Sequence, residues 1–291
     1  MGLWWVWLTG LFGWLFVSLW VAWRQFLFKE AIVWSLLEIK IPREIKKGPK
    51  AAEHIIMNMW ALRNTAGNLR EIYWDGEITM WFSLEIVSFG GDIRFFVRTP
   101  SRYVNIIRAN FYGQYPECEV EEVDDYIDKL PATLPEIYDS GHEIFGLEMK
   151  LGKNSAYPIR TYPQFESDDE AQNVDSIAGL LEVLAKINKD EVIMMQILAR
   201  PSSDPVALVK LADKEVARLK EEIVKKSPKR GVAGGVEGDI ITARTPGETE
   251  IFKIVEAKAA KQAFECLVRY VYLAPQAIFS VVLPYRGLRI S

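Results

Sequence analysis

The sequence predicts an α+β protein carried on an N-terminal transmembrane helix, and three observations predict it. An uncharged, tryptophan-rich apolar run extends from Leu3 to Ala22. Beyond it, stretches that alternate apolar and polar residues, as strands do, take turns with stretches whose apolar residues recur every three or four positions, as helices do. Breakers such as Pro42, Gly67, Asp75-Gly76, Gly90-Gly91, Gly113 and Pro116 fall where such elements would end. A chain of 291 residues also suggests two domains behind the helix rather than one.

The apolar run has the length of about 20 residues that a helix needs to cross a hydrocarbon core of roughly 30 Å. Trp4, Trp5, Trp7, Trp14, Trp20 and Trp23 are partly gathered at its two ends, where indole rings favour the headgroup layer. Gly10 and Gly13 are tolerated in a lipid-embedded helix. A cleaved signal peptide is the alternative, but no basic stretch precedes the run and no small-x-small site precedes Arg24. Arg24, Lys29, Lys40, Arg43, Lys46, Lys47 and Lys50 all follow the run, so the positive-inside rule predicts a cytoplasmic body on a single-pass anchor. The same cations would be attracted to anionic lipid at the inner leaflet.

In the body, Leu36 to Pro42 alternates as a strand, and Ala52, Ile55, Ile56 and Met59 form one face of a helix opened by Pro49. The run from Trp81 to Pro100 reads as two strands. Phe82, Leu84 and Ile86 line one face of the first, Ile93, Phe95 and Val97 one face of the second, and Gly90-Gly91 supplies a tight turn between them. Ser101 offers an N-cap to a helix carrying Val104, Ile107 and Phe111, and a strand follows from about Glu117 to Val123. Strand, helix, strand, strand, helix, strand is the order of a ferredoxin-like split βαβ unit, which buries one sheet face under two helices and leaves the other free for binding.

After the Pro131 to Pro135 connector the pattern is related but longer. Strands are predicted at Ile144 to Leu151, Tyr157 to Tyr162, Val192 to Ala199 and Cys266 to Leu273, and helices at Asp175 to Ile187, Pro205 to Lys226 and Glu248 to Phe264. The glycine-rich interval from about 227 to 246 reads as an exposed loop. The expected layout is therefore an anchor over residues 1–30 and two ferredoxin-like α/β-sandwich repeats, over 31–129 and an elaborated 130–291.

Composition narrows the function. Thirty-five basic against 39 acidic residues give a net charge of −4, which supplies no global field for DNA or RNA, so any nucleic-acid role is local or indirect. Cys118 and Cys266 each sit in an apolar, strand-like stretch and read as buried reduced thiols. His54 and His142 lie far apart with no Cys-x-x-Cys pair, which leaves zinc unsupported.

Several stretches carry a resemblance. Trp34-x-Leu-Leu-Glu-Ile-Lys-Ile-Pro-Arg-Glu-Ile with Pro49-Lys-Ala-Ala-Glu, Phe82-Ser-Leu-Glu-Ile-Val-Ser-x-Gly-Gly, Phe96-Val-Arg-Thr-Pro, Gln114-Tyr-Pro-Glu and Tyr272-Leu-Ala-Pro resemble the N-terminal, membrane-anchored region of type IV secretion or conjugation ATPase-associated proteins of candidate-phylum bacteria. The likeness covers roughly residues 3 to 275 and includes no catalytic motif. It implies the membrane-proximal part of a DNA-transfer machine at the bacterial inner membrane, with a secretion or conjugation ATPase as partner. Long members of that family continue toward a nucleotide-binding motor, whereas this sequence ends at Ser291 with a tail unlike theirs.

Motifs for chemistry are sparse. The nearest approach to a phosphate-binding loop, Gly152-Lys153-Asn154-Ser155, has Leu147 where the first glycine belongs, Asn154 where a magnesium-binding hydroxyl belongs, and Tyr157-Pro158 where a helix should start. Gly231 to Gly238 lacks the strand-to-helix context of such a loop. Acidic clusters at Glu119, Glu121, Glu122, Asp124 and Asp125, and at Glu166, Asp168, Asp169 and Glu170, are of a kind that can hold a cation, but also of a kind usually solvated at strand and helix ends. Lys225, Lys226, Lys229 and Arg230, after Arg218 and Lys220, could contact nucleic-acid phosphates; the plainer account is a helix C-terminus whose cations complement the macrodipole. The expectation is a homo-oligomeric, non-catalytic assembly module with no cofactor or metal, its rival a subunit or truncated part of an ATP-driven DNA-translocating coupling protein.

Overall fold

The alternating stretches pair into one antiparallel sheet. A computed structural model describes residues 4–42, 48–157, 159, 177–202, 204–226 and 246–282. Its strands are β1 (Trp34–Lys40), β2 (Phe82–Phe89), β3 (Asp92–Pro100), β4 (Glu119–Val123), β5 (His142–Met149), β6 (Val192–Pro201) and β7 (Phe264–Pro275). Their spatial order is β4-β1-β3-β2-β6-β7-β5, every neighbouring pair antiparallel. The helices are α1 (Trp4–Glu30), α2 (Pro49–Ala61), α3 (Val104–Gln114), α4 (Leu134–Asp139), α5 (Ala178–Ala185), α6 (Pro205–Lys226) and α7 (Pro246–Ala259). The protein is thus α+β, with an N-terminal apolar helix.

Side-chain alternation divides the sheet into two faces. On one face Leu37, Ile39, Val97, Phe82 and Val120 bury against Ile55 and Met59 of α2 and Val104 and Ile107 of α3. Farther along the same face, Ile193, Tyr270 and Tyr272 meet Leu180 and Leu184 of α5. Tyr272 donates to Glu191 Oε1 at 2.6 Å, and burial together with that carboxylate pushes its hydroxyl up to about 12. The opposite face is not free. Leu36, Val87, Phe96 and Met194 are covered by Tyr126, at the start of the 3₁₀ turn Tyr126–Lys129.

The Gly90-Gly91 turn forms as expected, with φ of 59° and 92°, and it is also wedged against backbone. A Cβ on Gly90 would stand 2.5 Å from the Lys189 carbonyl oxygen, and one on Gly91 2.7 Å from that of Ala185. Ser101 does not cap α3. Its hydroxyl donates to the Val33 carbonyl at 3.1 Å and lies 2.8 Å from Ser35 Oγ, which ties β1 to the end of β3 while a short 3₁₀ turn leads into the helix. Cys118 is buried as expected, but Cys266, near the start of β7, is exposed.

Two compact units divide the chain. The first is Met1–Met149 with Asp175–Ser203 and Phe264–Ser291; the second is Lys150–Val174 with Asp204–Ala263. The expected domain boundary at residue 129 falls inside the first unit, because strands from both halves of the sequence share one sheet. In the second unit α6 packs with α7, Tyr157 donates to Glu215 Oε1 at 3.1 Å, and Lys258 Nζ donates to the carbonyls of Ser155 and Tyr157 at 2.5 and 3.0 Å. Of the strand expected at Tyr157 to Tyr162, Tyr157 belongs to a turn closed by its N–H on the Asn154 carbonyl at 3.0 Å, and positions 158 and 160–162 lie outside the described residues.

Candidate functional site

Among the described residues, α1 is an extended apolar surface without a protein covering, its described side chains nowhere buried. At 27 residues it is about 40 Å long, enough to cross a hydrocarbon core and a headgroup layer. Trp7 is 82% exposed, and Trp14 and Trp23 are also exposed. Trp4 and Trp5 belong to the first turn, their side chains outside the described residues.

Trp20 is the exception among these aromatics, because the body reaches back to it. The chain between α2 and β2 folds into a π-helical turn, Glu71–Asp75, that lies along α1. Trp20 Nε1 donates to the Tyr73 carbonyl at 2.7 Å, and Arg24 Nε donates to the carbonyl of Trp74. The Trp20 ring sits 5.7 Å from that of Trp74 and 5.4 Å from that of Trp23. Gly76, with φ of 66°, comes so near the helix that a Cβ there would stand 2.5 Å from the carbonyl carbon of Arg24. Asn68 fixes the start of the turn: its Oδ1 accepts from the Glu71 N–H at 2.9 Å while Glu71 Oε1 accepts from Asn68 Nδ2 at 2.6 Å. Above this contact, Phe28, Ile32, Val33, Met80, Pro100 and Arg102 line a recess between the last turn of α1 and the sheet.

The second concentration of functional groups crosses the sheet on the face away from α2 and α3. Glu85, 2% exposed, accepts from Tyr126 Oη at 2.5 Å and from Arg98 Nε at 3.2 Å. Arg98 grips Asp125 with both terminal nitrogens, Nη2 to Oδ1 at 2.9 Å. Gln196 donates to Tyr126 Oη at 3.2 Å and accepts from Arg269 Nε at 2.8 Å. The Asp125 hydrogen bond, helped by Glu85, raises the Arg98 guanidinium above its ordinary value, and the same bond lowers the Asp125 carboxyl. Burial, then the Glu85 charge, raises the Tyr126 hydroxyl. Both oxygens of Glu85 are engaged inside the network, so its chemistry is to clasp the Asp125–Lys129 segment onto β2, β3, β6 and β7.

The residues expected to bind lie partly outside the described residues. Lys225 and Lys226 close α6, their side chains outside the described residues, as are Lys229 and Arg230 altogether; Arg218 pairs with Glu215 at 2.9 Å. The first acidic cluster is shared among partners: Glu121 and Glu119 meet Lys40 at 2.5 and 3.8 Å, and Asp125 goes to Arg98. The second cluster lies outside the described residues. Lys153 stands 5.6 Å from the Tyr157 ring centroid. Among the described residues, no group of three or more His, Cys, Asp and Glu is placed to hold a metal ion.

A family model described as a domain of unknown function, DUF8128, matches residues 28–279. The chain belongs to that family. No curated protein and no solved structure matches it. The DUF8128 match starts in the last turn of α1 and runs past β7, so it takes in the π-helical turn, the whole sheet and the Glu85 clasp but little of the apolar helix.

Two features of this DUF8128 chain were missed from sequence. The clasp had a signal, since Gln196 interrupts the apolar run Val192-Ile-Met-Met-Gln-Ile-Leu of a central strand, where an unpaired amide would be costly. The contact of Trp74 with Trp20 had none, because 53 residues separate Trp20 from Tyr73 and no periodicity links them.

Proposed function

We propose that this protein is a single-pass, membrane-anchored, non-catalytic assembly module whose body lies on the cytoplasmic side of a bacterial inner membrane. The observation that carries the proposal is α1: a helix of this length and composition, with none of its described side chains buried, is of the kind that lipid covers. The cations that follow the helix favour the orientation. The resemblance of Glu38-Ile-Lys-Ile-Pro, Ser88-x-Gly-Gly and Tyr272-Leu-Ala-Pro to the type IV secretion family favours a DNA-transfer machine with a separate ATPase.

The architecture supports a repeat. β4-β1-β3-β2, all antiparallel with α2 and α3 on one face, has the order of a split βαβ unit. β6-β7-β5 with α5 on that same face follows as a partial second copy, joined to the first where β2 pairs with β6. In it α6 and α7 occupy the connection that would otherwise be a hairpin.

The test is chemical cross-linking in the native membrane, followed by detergent extraction of the full chain and mass spectrometry, with a reporter fused after Ser291 for topology. Recovery of copies of this chain with an ATPase, and a cytoplasmic reporter, is the expected result. A periplasmic reporter overturns the orientation. Saturable binding of a fluorescent ATP analogue with magnesium to the purified chain, lost in Lys153→Ala, would replace the assembly module with the ATP-driven subunit.

A further inference from the structure

We infer that the Leu69–Asp75 turn is a second membrane contact, a short finger of the body that lies in the headgroup layer beside α1 and takes the lipid surface itself as its ligand. The inference rests on reading α1 as a membrane span.

Depth carries the argument. The turn does not meet α1 where the helix enters the body at Glu30 but at Trp20 and Arg24, about 9–15 Å back along the axis. That is the level at which the uncharged run ends and the first cation appears. A headgroup layer is about 5–7 Å thick on each side of the hydrocarbon. If α1 spans, a segment bonded to Trp20 cannot remain in bulk water.

Chemistry agrees with that depth. Leu69 is 73% exposed, Trp74 64% and Tyr73 41%, three large apolar or amphipathic side chains within seven residues. Tryptophan and tyrosine are the residues enriched at this boundary. The carbonyls of Tyr73 and Trp74, which would be costly to leave unpaired in a water-poor layer, receive hydrogen bonds from Trp20 and Arg24. Capping by Asn68 and the close approach of Gly76 hold the turn in place, so the apolar side chains are presented on a rigid support. With α1 alone the body could swivel about the Ala31–Val33 link; a second contact fixes which side of it faces the lipid.

The experiment uses the full chain in phosphatidylcholine vesicles containing nitroxide lipids with the quencher placed shallow or deep. An environment-sensitive fluorophore is attached at Leu69→Cys in a Cys266→Ser background, Cys118 being buried. Phe12→Cys reports on α1. Asp190→Cys reports on the opposite end of β3, beside the Gly90 turn and about 26 Å along the strand from Trp34. Expected are blue-shifted emission at position 69 with stronger loss from the shallow quencher, loss at position 12 from the deep quencher, and neither at 190. A water-like, unquenched label at 69 beside a quenched label at 12 overturns the finger and leaves the anchor standing. An unquenched label at 12 overturns both, and equal quenching at 69 and 190 overturns the finger because the body as a whole would then meet lipid.

Discussion

Tyr126 is the hinge of the polar clasp, since its hydroxyl both donates to Glu85 and accepts from Gln196. Tyr126→Phe keeps the ring against Phe96 and Phe89 but removes both bonds and leaves a buried carboxylate short of one donor. The loss should be about 1–3 kcal/mol, read as a lower urea midpoint at unchanged slope. Asp125 gives the clasp a pH dependence. Its carboxyl titrates lower folded than unfolded because Arg98 donates to it, so its stabilisation is complete above the unfolded value of about 3.9 and is lost as pH falls through the folded one. Urea midpoints taken from about pH 5 downward should therefore fall more steeply for the parent than for Asp125→Asn. Glu85 and Arg98 could be placed on one sheet face from the sequence by alternation alone. Their partners could not, because Asp125 and Tyr126 arrive from the turn that follows β4, a long-range placement that local patterning does not encode.

At the scale of elements, the β2–β3 hairpin was the most legible, because Gly-Gly between two alternating runs states both the turn and the register. The structure adds a second demand on those glycines, the carbonyls of Lys189 and Ala185 against their α-carbons. Replacing both by Val should lower the melting temperature by more than about 5 °C, since it adds steric conflict to a backbone penalty of about 1–3 kcal/mol at each site. A shift of a degree or less would contradict the tight packing of this turn. Strand ends were less legible: β4 begins at Glu119 and not Glu117, and β7 spans Phe264–Pro275, longer than its apolar pattern suggested. Hydrogen bonding to a long neighbour extends a strand past its own hydrophobic signal, as β6 does for β7 from Phe264 to Leu273. The first part of α1 was legible, because a charge-free run from Leu3 to Ala22 has few alternatives; its continuation past Arg24 to Glu30 was not.

For the whole molecule, the main contact of α1 among the described residues is with one turn of the body, and the buried clusters of the sheet draw on none of its residues. Residues 31–291 alone should therefore give a cooperative unfolding transition. Because Trp74 loses its partner Trp20, that fragment should also bind phosphatidylcholine vesicles more than its Leu69→Ser, Trp74→Ser variant does, as flotation would show. The sheet itself has a temporal consequence. Its centre is the pairing of β2 with β6, and roughly 100 residues lie between them, so at synthesis rates of about 5–20 residues per second the inner edge of β2 waits on the order of 5–20 s for its neighbour. During that interval Phe82, Leu84 and Ile86 project from a strand open on one side. The polypeptide is thus most vulnerable to mispairing partway through its own translation, while that edge is bare.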